Sequence, residues 1–172
     1  MEKIKAYLAG ETVSSADSDA FSLYEKSRFG EISGEKIQYS IAEALYLVEK
    51  EKMEVFSNKK KISKKDFIEK CGKIDKKINV KYPVFKDLRE KGYVIKTALK
   101  FGADFRVYDK GAKPGEEHAK WIVFTDHESK RLTWHEFSAK NRVAHSTKKN
   151  LLLAIVDEEG DVSYYEVRWI KP

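Results

Sequence analysis

The sequence predicts an α+β protein in two parts, and three observations predict it. Helix-start signatures followed by apolar residues at helical spacing fill the first half, around Ser40 and Ser63. A continuous aliphatic run, Leu151 to Val156, reads as a buried strand in the second half. Between them, near Asn79 to Pro83, the periodic pattern breaks. With 172 residues, 41% of them hydrophobic and 12% aromatic, the chain can fill one full-sized core or two small ones.

Residues 4 to 32 alternate short apolar pieces (Ile4, Ala6, Leu8) with the turn-rich SSADSDAFS, and are expected as small strands around loops. Ser40 with Glu43 forms a capping box, and Ile41, Ala44, Leu45 and Val48 continue it as an amphipathic helix to Lys50. Ser63 and Asp66 open a lysine-rich helix marked by Phe67, Ile68 and Cys71, expected to pack against the first. From Lys59 to Lys81 there are ten lysines and three acids; the segment reads as a solvated helix face or as an RNA surface. The two parts are expected as residues 1–80 and 81–172.

After Pro83 the pattern predicts a helix from Val84 to Lys91, a stop at Gly92, and strands at Tyr93–Leu99, Ala103–Tyr108 and Lys120–Thr125. Thr133 and Glu136 form a third capping box, opening a helix expected to be short. Arg142 to Lys149 reads as a further helix or as direct entry into a strand. DEEGD then turns the chain into a last strand, Val162 to Ile170. No repeat is present, so solenoid folds are excluded.

The chain carries 34 basic and 28 acidic residues, a net charge of +6, and its field favours an anionic partner, with nucleic acid the leading candidate. One cysteine, Cys71, excludes an intramolecular disulfide, and no Cys/His cluster has zinc-ligand spacing, so a reducing, cytoplasmic setting without a metal or cofactor is expected. The opening MEKIKAYLAG lacks the apolar core of a secretory signal, and Leu151–Val156 is too short for a hydrocarbon layer about 30 Å thick. No membrane partner is expected.

RNA supplies its own nucleophile, the 2′-hydroxyl. An enzyme that cleaves it must remove that proton, protonate the departing 5′-oxygen and stabilise the phosphorane between them. Histidine suits the acid, because its unperturbed pKa of about 6.5 leaves a protonated fraction near neutrality. Tyrosine, at about 10, needs a neighbouring cation to serve as a base. Tyr108, His118 and Lys149 could fill these roles. Each also has an ordinary reading, as a strand packing residue, a solvated loop histidine and one lysine among many. Composition and spacing do not select this trio.

A resemblance does. FGADFRVYDKG, EEHAKWIV and VAHSTKKNLLLAIVDEEGD resemble the three catalytic motifs of the archaeal tRNA-splicing endonucleases, the tRNA-intron endonuclease family. YPVFKDLREKGYVIKTALKFGADF and SIAEALYLVEKEKMEV extend the likeness toward the N-terminus. It implies Tyr108 as general base and His118 as general acid. It also implies Lys149, four residues after His145 and directly before the aliphatic strand, as electrostatic stabiliser. His145 itself has no implied catalytic role and reads as structural or as a phosphate contact. The implied fold is a small mixed α/β domain followed by a nuclease-like α/β domain with a mixed central sheet.

The implied reaction is metal-independent cutting of precursor tRNA at bulge-helix-bulge junctions, leaving 2′,3′-cyclic phosphate and 5′-hydroxyl ends. The implied assembly is a homotetramer, a dimer of dimers. Arg142 and Arg168 match arginines that sandwich a flipped bulge base. The acidic turn Asp157, Glu158, Glu159 and Asp161 matches an assembly loop, and Val167, Trp169 and Ile170 match a strand that pairs subunits. Two other classes compete: a non-catalytic structural subunit, and a metal-dependent DNA nuclease using Asp104, Asp109 or Glu117.

Overall fold

Strand β1, Ile4–Ala9, buries Ile4 and Ala6 and exposes the residues between them, the period-2 pattern of a half-buried strand. Gly10, at φ +61, turns the chain back into β2, Thr12–Ser15. A helix, α1, follows at Ser18–Ser27, where a loop was expected. It buries only Ala20 and Leu23, too thin an apolar stripe to show through the serines and aspartates around it. Then come β3 (Glu31–Ser33), β4 (Lys36–Tyr39), α2 (Ile41–Glu49), β5 (Met53–Ser57), β6 (Lys60–Lys61) and α3 (Lys64–Ile74).

The six strands form a mixed sheet in the order β3-β4-β2-β1-β5-β6, in which β1 and β5 are parallel. The Ser40 capping box is present, and Glu43, almost fully buried, also accepts the Gly30 N–H at 2.9 Å. Gly30 has no substitute: at φ +75 an added Cβ would lie 2.3 Å from the Ile37 side chain. Ser63 caps α3 through the Asp66 N–H, and α2 packs against α3 as expected.

The computed structural model describes residues 2–172, and the chain divides into two compact units, one ending at Asn79 and the other spanning Val80–Pro172. Helix α4, Ile78–Glu90, begins six residues before the expected start and contains Pro83. The proline forfeits one backbone bond, and the buried Val84, Phe85 and Leu88 hold the helix together around it. Strand β7 is Val94–Thr97, shorter than expected because Leu99–Phe101 winds into a 3₁₀ turn ending at Gly102.

Next are β8 (Phe105–Tyr108), β9 (Trp121–His127), α5 (Trp134–Ser146), β10 (Asn150–Val156) and β11 (Val162–Val167). The second sheet has the order β11-β10-β9-β8-β7. It is mixed: β9 and β10 run parallel, joined by α5, and the other neighbours are antiparallel. Both units therefore bear out the α+β expectation.

This sheet is covered on both faces. Ile122, Phe124 and Leu151 pack with Ala144 of α5. On the opposite face Phe105 meets Phe85 of α4 at 6.0 Å between ring centroids, and Tyr164 bonds Asp87 of the same helix. Among the described residues no helix is long and apolar enough to cross a membrane.

Candidate active site

Tyr108 ends β8 and is buried at 4% exposure in a cluster with Val94, Ala112 and Ala119. The two alanines come from either end of the loop that joins β8 to β9. Their small side chains let that loop close against the tyrosine. The loop also ties itself: Lys113 O accepts the N–H groups of Glu116 and Glu117 at 3.0 Å, and the Glu117 carboxylate accepts Lys113 N–H at 2.9 Å. His118 stands exposed beside the buried Ala119, and so beside the Tyr108 cluster.

Two backbone bonds then fix the register. Lys120 N–H donates to Val107 O at 2.8 Å, opening β9 next to the end of β8. Asn150 N–H donates to Lys120 O at 3.2 Å, opening β10 next to the start of β9. Lys149 immediately precedes that bond. Its N–H reaches Ala144 O at 2.9 Å, and its ammonium donates to Thr147 O at 2.9 Å. Lys148, at φ +56, makes the left-handed turn that ends α5 and aims the chain into β10.

Tyr108, His118 and Lys149 therefore share one end of three adjacent strands. With strands about 4.8 Å apart, the backbones of the outer two are about 10 Å from each other. Lys120 and Trp121 occupy the same edge and escaped the sequence reading. The Lys120 ammonium lies 4.4 Å from the Trp121 ring centroid and 3.8 Å from Asp109, while Tyr93 meets the Trp121 ring edge-on at 5.5 Å. Their signal was the K-W pair inside the histidine motif EEHAKWIV.

Arg142 is exposed in α5, a helix far longer than expected, which resolves residues 142–146 as helix and 147–149 as its exit. His145, one turn further on, meets the Trp169 ring at 4.5 Å between centroids. Trp169 and Ile170 were expected in the last strand, but β11 ends at Val167 and both lie exposed beyond it. Arg168 donates from Nε to Glu166 at 2.7 Å, and the other oxygen of Glu166 accepts the Trp121 indole N–H at 2.7 Å. These bonds, the indole first, hold the Glu166 carboxyl below its usual pKa.

The turn Asp157 to Asp161 follows the opposite end of β10. Asp157 organises it by accepting the N–H groups of Glu159 and Asp161 at 2.9 Å, and Glu158 lies 3.8 Å from His127. About 20 Å of strand separates it from Lys149. The carboxylates weighed for metal binding have protein partners: Asp104 holds Thr125 at 2.8 Å and faces Lys81 at 3.6 Å, Asp109 faces Lys120, and Glu117 holds the loop. Among the described residues no group of three or more His, Cys, Asp or Glu is placed to hold a metal ion.

Known proteins are similar to this chain in sequence along both units. The family model described as the tRNA intron endonuclease N-terminal domain matches residues 4–68, and that of the catalytic C-terminal domain matches residues 78–164. A tRNA-splicing endonuclease of Thermococcus kodakarensis is 44% identical over 166 residues, covering 96% of this chain and 97% of the relative. One from Pyrococcus horikoshii is 45% identical over 170 residues, covering 98% and 97%. One from Nanoarchaeum equitans is 45% identical over 138 residues, covering 77% and 88%. Across both units, the chain belongs to the tRNA intron endonuclease family.

Proposed function

We propose that this endonuclease cuts precursor tRNA at bulge-helix-bulge exon-intron junctions by general acid-base catalysis without a metal, leaving 2′,3′-cyclic phosphate and 5′-hydroxyl ends. Residues 81–172 form the catalytic domain. Tyr108 removes the 2′-hydroxyl proton, His118 protonates the leaving 5′-oxygen, and Lys149 stabilises the charge that builds on the phosphorane.

The observation that carries this reading is the common strand end. An exposed histidine suits a group that must meet a solvent-facing leaving oxygen. The half-buried Lys149 already holds its charge at that edge, tied to Thr147 O.

Arg142 and Arg168 grip the bulge, where a guanidinium stacks on bases and binds phosphate. The chain works as a homotetramer, a dimer of dimers, whose two correctly spaced active sites serve two separated bulges. Support for assembly comes from the second sheet's free edge: β11 is its terminal strand, and Tyr165, Trp169 and Ile170 are exposed on it or just past it. The acidic turn Asp157–Asp161 docks into a basic surface of another subunit. Its distance from Lys149 along β10 keeps four carboxylates off the RNA path.

The test is cleavage of an end-labelled bulge-helix-bulge precursor in excess EDTA, with product ends mapped for wild type and His118→Ala. Cyclic-phosphate ends from wild type alone are expected. Cleavage that needs added magnesium would promote the metal-nuclease reading, and comparable cleavage by His118→Ala would sink the acid assignment.

A further inference from the structure

Arg168 lies in the short segment after β11, where no ladder holds the backbone. Its side chain is two-thirds exposed, yet it is not loose. One oxygen of Glu166, two residues earlier, accepts from Nε at 2.7 Å and also pairs with Nη2. The second oxygen of Glu166 accepts the Trp121 indole N–H at 2.7 Å, across 45 residues of sequence. Trp121 is itself packed edge-on against Tyr93 and covered by Lys120. On the next residue, Trp169 rests against His145 of α5.

An exposed Glu–Arg pair alone contributes little to stability. What distinguishes this one is that the carboxylate is fixed from behind by a rigid aromatic ring. The guanidinium is then held by one edge, Nε and Nη2, while the side chain stays two-thirds exposed. That is the preorganisation a planar cation needs before it can stack on a base or fork a phosphate without losing rotamer freedom on binding.

We infer that Glu166 is a positioning residue for RNA binding, a clasp that orients the Arg168 guanidinium by anchoring it to the Trp121 indole. The inference rests on Arg168 touching RNA, as proposed above. Glu166 itself carries a negative charge and makes no contact with substrate. Removing it would otherwise be expected to help an anionic ligand, so the direction of the effect is diagnostic.

The experiment compares wild type, Glu166→Gln, Arg168→Ala, Arg168→Lys and the Glu166→Gln/Arg168→Ala double variant. The full-length protein is used, with a bulge-helix-bulge RNA carrying 2′-deoxy sugars at the cut sites for affinity and the cleavable RNA for KM and kcat. The glutamine keeps an oxygen for the indole and loses the charge that holds the guanidinium. Arg168→Ala is expected to weaken binding about tenfold, the size of one charge-assisted contact, with kcat unchanged. Glu166→Gln should raise Kd and KM by most of that factor, and the double variant should match Arg168→Ala alone.

Arg168→Lys, which keeps the charge and loses the fork, should resemble alanine and needs no change at position 166. Unchanged or tighter binding by Glu166→Gln, additive single effects, or wild-type behaviour of Arg168→Lys would each overturn the clasp while leaving Arg168 as an RNA contact. Wild-type affinity of Arg168→Ala would instead remove that contact, and the clasp with it.

Discussion

The Tyr164 hydroxyl donates to Asp87 Oδ2 at 2.7 Å, a bond between residues 77 positions apart that fastens the edge strand β11 to α4. Burial, reinforced by that hydrogen bond and by the Asp87 charge, raises the phenol's pKa above its ordinary 10. The folded state therefore holds this proton more tightly than the unfolded state. The stabilisation is complete below pH 10 and is lost as pH rises above it. Tyr164→Phe should cost about 1 kcal/mol at neutral pH, because Asp87 keeps its ion pair with Lys91. It should also flatten the alkaline part of the stability curve. Urea denaturation at pH 7 and at pH 10.5 measures both.

Lys149→Ala should lower the single-turnover cleavage rate by about two to four orders of magnitude, with RNA affinity changed far less. Lys149→Arg should recover part of the rate, since the charge returns on a longer, planar group. A fall in affinity that accounts for the whole loss would recast Lys149 as a binding residue.

Much of the fold was legible because its signals are local. The Ser40–Glu43 and Thr133–Glu136 boxes are written within four residues, and the aliphatic run of β10 needs no partner to be recognised. Helix α5 was underestimated because it buries fully only Ala144, so no strong stripe follows its cap. Pro83 misled in the opposite direction, reading as a boundary where the tertiary packing of Val84 and Phe85 overrides it. The candidate site was legible only through resemblance. Tyr108, His118 and Lys149 are brought to one end of the sheet by the Lys120–Val107 and Asn150–Lys120 backbone bonds, a register set by long-range pairing that spacing does not encode.

The α5 cap gives an acid-side expectation. The Thr133 N–H and hydroxyl, each 2.8 Å from Glu136, keep that carboxyl below its usual pKa of 4.5. A depressed folded-state value contributes stability above pH 4.5 that is lost as pH falls through the folded pKa. Thr133→Ala, which removes the hydroxyl bond and keeps the backbone one, should lower stability at pH 7. The difference from wild type should shrink below pH 4, followed by thermal unfolding across that range.

Cys71 lies fully buried in α3, and burial pushes its thiol up to about 12. At pH 8 only about one thiol in ten thousand would be ionised. Iodoacetamide should leave the native protein unlabelled over hours and label it fully in guanidinium chloride. Rapid native labelling would mean that α3 opens readily from its unit.

The parallel crossover that joins β9 to β10 delivers the C-terminal end of α5 to the edge holding Tyr108 and Lys149. A helix presents acceptors and a partial negative charge there, the polarity opposite to what an incoming phosphate requires. In phosphate sites built on helix N-termini the donors are main-chain amides, which every substitution except proline leaves in place. At the proposed site the backbone would work against an anion, and the favourable potential would rest on side chains such as Lys149 and its neighbour Lys120. Each of those charges hangs on one codon: a single substitution can weaken the edge's potential while leaving its shape intact.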